Sequence, residues 1–511
     1  MFKAVKIDLN HAEKNHLFNK GNWRSSMKKS FIVINLISLL FIVSFLFGSC
    51  AGRSQSIIAD FPDETAGDTV AEFDPDAPAA PAPEAPAAVV PGQIAAAPEA
   101  PADAPAAVDE AAPQTAAATA TAVSAPVAGT GTLDNGDWIP EVKSRLENLI
   151  AQNAGQGKKV IIDFDNTLIC RDIGEATFAS MVGDKKITSR NIPANITPSG
   201  KLNNTRVDIA DFSGPAQFYN NFLSVTKEQP EELSPYSNGY VWLTQIMAGM
   251  TPADIASSTE KAYANGIARL DRTYPNLQET KVNGYLQPFF YPEMVDLTGL
   301  LVKNGYDVYI FSTSNTWTAR WIVLKHLNPL IQAKYGAEAA IAPDHVIGIS
   351  VLVEDNRTGI MHQDSLLAKT NQAYANMDIA ELTNYRLTTQ VVYPLTGYFG
   401  QLANIFKFVS YGRPFLVAGD SPNDHPMLNQ AENRLWITRL EKMEYQEKTL
   451  DLIENSLPGE WMLQPVLFKE SPGFVASQDD VNKRLHAKPF KKKTPNAVIK
   501  MLRTSGKLKG F

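Results

Sequence analysis

The chain has 511 residues, a formal net charge of −7 and a pI of about 5.6, so nothing in its overall charge marks a nucleic-acid binder, and no nucleic-acid partner is expected. Its two cysteines, Cys50 and Cys170, are too few for a disulfide framework or a cysteine-based metal site. At roughly 150 residues per domain the length allows three domains, but the first part of the chain lacks the side chains to build a core.

Residues Met27–Cys50 begin with Lys28 and Lys29, continue through an apolar stretch from Phe31 to Phe47, and end in small residues before a cysteine. This resembles a bacterial lipoprotein signal peptide, with Phe47-Gly48-Ser49-Cys50 as the lipobox. Phe47 stands where the family usually has leucine. The resemblance implies lipidation of Cys50 and a membrane partner through that anchor; two acyl chains suffice for stable tethering. The alternative is an uncleaved transmembrane anchor, because an apolar run of about 17 residues lies at the short limit for a span. Either reading places the rest of the chain in a bacterial cell envelope, facing periplasm or exterior. The polar stretch Met1–Ser26 has no place in such a leader (residues 1–50), so the natural start is read as Met27.

Between residues 51 and 132, above all from Pro75 to Thr132, the sequence is nearly all Ala, Pro, Val, Thr and acid. Without large side chains no core forms, and frequent proline favours extended, stiff backbone. This is a spacer. Order is predicted from about Asp137, where Trp138, Ile139, Val142, Leu146, Leu149 and Ile150 recur at helical spacing with Pro140 in the first turn.

Three apolar strands then end in polar loops. KKVIIDFDNT (Lys158–Thr167) is the first; YDVYIFSTS (Tyr306–Ser314) follows a helical run at Met294–Lys303; RPFLVAGDS (Arg413–Ser421) follows another at Leu402–Val409. Helices alternating with continuous apolar strands imply an α/β fold with a Rossmann-like parallel sheet. In such sheets the chemistry sits beyond the carboxyl ends of the strands. Asp163 and Asp165, two apart in extended backbone, point the same way and repel, so they require a cation or a shared proton. A hard divalent cation with oxygen ligands fits. One carboxylate can then attack phosphorus while the other moves a proton. Asp420 and Asp424 add two acids from the third loop, and Ser312, Thr313 and Ser314 offer neutral donors for a phosphate oxygen. Each motif alone is as readily a turn or a helix cap; the order of three, each after a strand, carries the reading.

That order, hhhDFDNT … hhFSTS … hhaGDSPND, resembles the haloacid dehalogenase (HAD) superfamily of phosphohydrolases over roughly Trp138 to Ser477. The resemblance implies Asp163 as a nucleophile that forms an aspartyl-phosphate and Asp165 as the general acid/base. It implies Ser312, with Thr313, on the phosphoryl group. It also implies Mg²⁺ held by Asp163, the backbone carbonyl of Asp165 and Asp420, with Asp424 in support. A carboxylate at 165 favours a phosphatase over a dehalogenase. The family's lysine before the third strand is here Gln401; Lys407, about 240° further round the helix, Lys369, or no cation at all are the alternatives, with Lys407 taken as the phosphate-binding cation.

The core is assigned to residues 133–170 and 289–478, and the insert 171–288 resembles the helical cap of the phosphoserine and phosphorylcholine phosphatases. Phe218, Tyr219, Phe222, Tyr236, Tyr240, Trp242, Tyr285, Phe289 and Phe290 in and around it read as cap core or as a cage for a quaternary ammonium. Asp172 and Glu175 read as substrate contacts or as helix N-terminal acids. Residues 479–511, rich in lysine, read as a solvated basic tail. The expected function is a Mg²⁺-dependent phosphatase acting on a small phosphate monoester, with phosphorylcholine or phosphoethanolamine as candidates. The competing readings are a lipid-anchored surface binding or adhesion protein with a degenerate site, and a phosphotransferase.

Overall fold

The computed structural model describes residues 131–134, 136–197, 200–202, 205–223, 239–264, 281–282, 285–468, 471–485, 493–508 and 511. The leader with Cys50, and the spacer up to residue 130, lie outside the described residues.

Helix α1 (Pro140–Gln152) has proline at its first turn and buries the stripe Val142, Leu146 and Ile150. Strand β1 (Lys159–Asp163) follows, buried over its last four residues. The chain then makes α2 (Ile173–Gly183), α3 (Pro252–Tyr263) and α4 (Pro292–Lys303) before β2 (Asp307–Asn315). Next come α5 (Thr316–Ile322), β3 (Val346–Ile349), β4 (Val351–Asp355), β5 (Met361–His362), α6 (Asp364–Thr370) and β6 (Tyr385–Val391). Then α7 (Phe399–Asn404), β7 (Leu416–Gly419), β8 (Asn433–Arg439), α8 (Met443–Asn455), β9 (Glu460–Leu467), β10 (Gly473–Phe474), α9 (Gln478–Arg484) and α10 (Lys493–Thr504) complete it.

The main sheet has seven strands in the order β10-β9-β8-β7-β1-β2-β3, parallel throughout except for the β9–β10 edge pair. The buried apolar strands that this requires are present: β7 and β8 are buried along their whole length. From β1 the chain builds outward on one side through β2 and β3, then returns to the other side at β7. The reversal of strand order therefore falls at β1, and a ligand crevice belongs at that point. Register sets the level of the loops. Ile162 pairs with both Ala418 and Ile310, and Asp163 with Phe311, so Asp163, Ser312 and Asp420 stand within a residue of one level across the sheet.

The cap is larger than the sequence implies. Its helices α2 and α3 bury Phe178, Met181 and Ile255, and the intervening helix Gly239–Gln245 buries Trp242, in a second hydrophobic cluster. That cluster also contains Val351, Val353, Leu367, Tyr374 and Leu387 from the antiparallel sheet β5-β4-β6 and its helices. Residues 351–391, assigned from sequence to the core, thus pack with the 171–288 insert. The basic tail is likewise corrected. Helices α9 and α10 are ordered, and Val498, Ile499, Leu502, Leu508 and Phe511 are buried in the main core. Lys500 stays outside on the polar face of the amphipathic helix α10, and Lys507 is exposed just beyond its end. Arg484 of α9 closes an ion pair with Asp137 at 2.7 Å, tying this end to the start of α1. Among the described residues no helix is long and apolar enough to cross a membrane.

Candidate active site

Beyond the end of β1 the chain turns sharply. Asn166 takes up a left-handed conformation (φ 64°), which asparagine tolerates, and its side chain accepts from Arg171 N at 3.1 Å. Leu168 N and Ile169 N both donate to Phe164 O at 3.0 Å, closing the loop so that Asp163, Asp165 and Thr167 face one crevice.

Asp163, Asp420 and Asp424 meet there. One carboxylate oxygen from each lies within 4.8 Å of the others, and all three residues are buried. Asp424 is held by its own loop: its Oδ2 accepts from Asp420 N (3.1 Å) and Ser421 N (3.0 Å), and its Oδ1 from Gln401 Nε2 (3.0 Å). Gly419 is required by that fold-back, since a Cβ there would stand 2.7 Å from the Asp424 Cβ. Asp420 accepts from Thr167 Oγ1 at 3.1 Å and pairs with Arg439, whose Nη2 is 2.6 Å from Asp420 Oδ2. Arg439 stands at the end of β8, its guanidinium over the rings of Tyr445 and Phe468. Three carboxylates against one guanidinium leave a formal charge of −2 in a buried space. Burial and the neighbouring carboxylates Asp424, Asp420 and Asp165 hold Asp163 well above the usual carboxylate range. Burial pushes Asp420 up to about 7, against the pull of Arg439. Burial also raises Asp424, opposed by the bond from Gln401.

Asp165 occupies a different corner. Its Oδ1 accepts from Ile173 N (2.8 Å), the first residue of α2, and its Oδ2 accepts from Ser312 Oγ (3.0 Å) and Ser314 Oγ (2.7 Å). Gly174 permits this approach of α2 to β2, as a Cβ there would stand 2.4 Å from Ser314 Oγ. Burial raises Asp165 to about 6 despite these donors. A carboxyl near that value can both give and take a proton at neutral pH.

The sequence-derived residues therefore divide. Asp163, Asp420 and Asp424 come together as an all-oxygen set whose residual −2 suits a hard dication. The Asp165 side chain points away from that set and toward Ser312. Ser312 touches Asp165, while Thr313 sits beyond, with its Cγ2 near Gly397. Lys407 is not brought to the cluster. Its Nζ lies 3.5 Å from Tyr393 O, because six residues along the helix carry it away from the side that Gln401 presents to Asp424. Asp172 caps α2 through Glu175 N at 2.8 Å, and its Oδ2 accepts from Tyr240 OH at 3.0 Å; Tyr219 OH donates to Glu175 Oε1 at 2.9 Å. Of the aromatics, Phe218 and Trp242 are cap core, Phe289 and Phe290 main core, and Tyr236 lies outside the described residues. Arg439 and the Thr167 hydroxyl emerge as members of the site only from the structure, whereas Ser314, read from sequence as a phosphate donor, is placed on Asp165. The signal for Arg439 was available: the fourth apolar strand, RLWITR, also ends in a polar pair.

Topology and site together are those of a Rossmann-like α/β sheet with its acids beyond the carboxyl ends of the strands, in agreement with the haloacid dehalogenase-like fold that the sequence resembles. No protein-family model and no curated protein matches the chain. Among solved structures it is similar to a conserved protein of unknown function from Anaerococcus prevotii DSM 20548, at 16% identity over 68% of this chain and 97% of that one, with a TM-score of 0.41. It is similar to a HAD family hydrolase from Salmonella enterica subsp. enterica serovar Typhi at 11% identity, over 56% of this chain and 64% of that one, TM-score 0.27. Phosphoserine phosphatase, as an analogue of its phospho-aspartyl intermediate, is similar at 12% identity over 55% of this chain and 86% of that one, TM-score 0.26.

Proposed function

We propose that the protein is a Mg²⁺-dependent phosphatase for small phosphate monoesters. The observation that carries this reading is the buried set Asp163, Asp420 and Asp424, with its uncompensated charge, beside a separately held Asp165 of raised pKa. Asp163, Asp420 and Asp424 would hold Mg²⁺, which when bound neutralises their charge and that of the phosphate oxygens. Asp163 attacks phosphorus, forming an acyl-phosphate as the P–O bond to the leaving group breaks. Asp165 donates its proton to the leaving alkoxide. It then takes a proton from water as that water attacks phosphorus and the bond to Asp163 breaks, freeing inorganic phosphate and restoring Asp163 as the carboxylate and Asp165 as the acid.

Around Asp165 the cap presents Asp172, Glu175, Tyr219 and Tyr240, two acids and two phenols, as the wall nearest the leaving group. Such a wall favours a leaving alcohol with a positive charge, and phosphorylcholine or phosphoethanolamine has that chemistry. The protein acts outside the cytoplasm, tethered through a lipidated Cys50; mass spectrometry of the mature N-terminus tests that part.

The central test is turnover of an aryl phosphate with and without Mg²⁺, beside an Asp163→Asn control. A loss of at least about 10³-fold in the variant is expected, as for removal of other covalent nucleophiles. Absence of Mg²⁺-dependent turnover in the unaltered chain would leave the binding-protein reading, which Gln401 in place of the family's lysine favours. A panel of choline, ethanolamine, serine and nucleotide monoesters then ranks leaving groups; preference for an uncharged or anionic one would remove the cationic-alcohol assignment.

A further inference from the structure

The helix that carries Gln401 has a second working side. Asn404, Lys407 and Phe408 line a small open crevice that Lys369 of α6, and Gly348 and Ser350 at the end of β3, also line. The acids in its wall are Asp364 and Asp344. Asp364 is spent on Arg320 through two hydrogen bonds of 2.9 and 2.7 Å. Neither Lys369 nor Lys407 forms a salt bridge among the described residues. Instead both ammonium groups share one ring: Lys407 Nζ lies 4.8 Å and Lys369 Nζ 5.9 Å from the centre of Phe408. Partial burial and the charge of Lys369 push the Lys407 ammonium below its ordinary range. Two like charges at one cleft mouth, neither of them in a salt bridge among the described residues, are a cost that a bridging dianion removes.

We propose that this crevice is an anion site, separate from the acidic cluster, which binds a phosphate-bearing small molecule between Lys369 and Lys407. A phosphate dianion matches two cations, and the hydroxyls of Ser350, Ser365 and Thr316, which also line the crevice, suit its remaining oxygens. Free inorganic phosphate and a phosphate monoester offer the same group.

The test follows the lysines directly. The full chain is reductively methylated with ¹³C-formaldehyde, and the Lys407 resonance is assigned by its loss in Lys407→Arg. Its titration is followed in chloride, inorganic phosphate and methyl phosphate at equal ionic strength. Phosphate is expected to raise the Lys407 midpoint by about half a pH unit or more, the scale of a newly gained opposite charge. Lys369→Gln should weaken phosphate binding by about fivefold, the effect of one partly exposed ion pair. A stronger response to inorganic phosphate than to methyl phosphate identifies a product-binding site; the reverse identifies an ester site. The proposal is overturned if Lys407, itself exposed at the crevice mouth, responds no more than an exposed lysine outside the crevice such as Lys185. It is equally overturned if the response appears only with Mg²⁺ and disappears in Asp163→Asn, because the anion then sits in the acidic cluster.

Discussion

Asp165 and Arg439 carry the two sharpest tests at single residues. In the proposed reaction Asp165 acts twice, once as acid and once as base, and an aryl leaving group relieves only the first demand. Asp165→Asn should therefore still release about one equivalent of nitrophenol per protein from an aryl phosphate and then stall, while alkyl phosphates give no burst. Rapid-quench measurement checks this; steady turnover of either ester in the variant would remove Asp165 from the mechanism. Arg439 plays the structural counterpart. It gives Asp420 its sole cationic partner among the described residues, in a space both side chains almost wholly share with protein. Removing one member of a buried pair leaves a charge without compensation, so Arg439→Met should cost about 3–5 kcal/mol in metal-free buffer. Mg²⁺ should return part of that loss, since the ion replaces the missing positive charge; denaturant melts with EDTA and with Mg²⁺ measure both.

At the level of elements, the strands were the legible part of this sequence. Each of Lys159–Asp163, Asp307–Asn315 and Leu416–Gly419 is a continuous apolar run ending in a polar loop, and buried parallel strands leave that signature because both faces are covered. The acids at 163, 165, 420 and 424 were legible for the same reason. What the pattern does not contain is partnership across space. Residues 351–391 are short alternating strands that look like any surface hairpin, and only the shared cluster with Phe178 and Trp242 makes them part of the cap. Gln401 reads as a missing lysine, yet its amide holds Asp424. The terminal helix was obscured by its lysines, which dominate composition although Val498, Ile499 and Leu502 form an apolar stripe at helical spacing. If that stripe is structural, Leu502→Ala should cost about 2–4 kcal/mol, whereas Lys500→Ala on the outer face should change stability by less than about 0.5 kcal/mol. Equal, negligible effects in a chemical melt would return the segment to a solvated tail.

For the molecule as a whole, the acidic cluster makes stability a function of both pH and metal. Without a cation the folded state raises Asp165 to about 6 and Asp420 to about 7, with Asp163 and Asp424 raised alongside, chiefly through burial. Between the ordinary carboxylate value of about 4 and about 7, the folded chain thus holds more protons than the unfolded chain. The sign follows: these groups favour folding most at the acid end of that window, and their support is lost as pH rises through about 7. A divalent cation held by this cluster, as proposed, would compete with the same protons, binding more tightly as pH rises and stabilising by mass action in proportion to its occupancy. The increment in Tm on adding Mg²⁺ over EDTA should therefore be small at pH 5.5 and grow steadily to pH 8, and Asp420→Asn should flatten that slope. Differential scanning fluorimetry across the range provides the measurement. An increment that is independent of pH, or larger at the acid end, would mean that Mg²⁺ binds somewhere other than among these carboxylates.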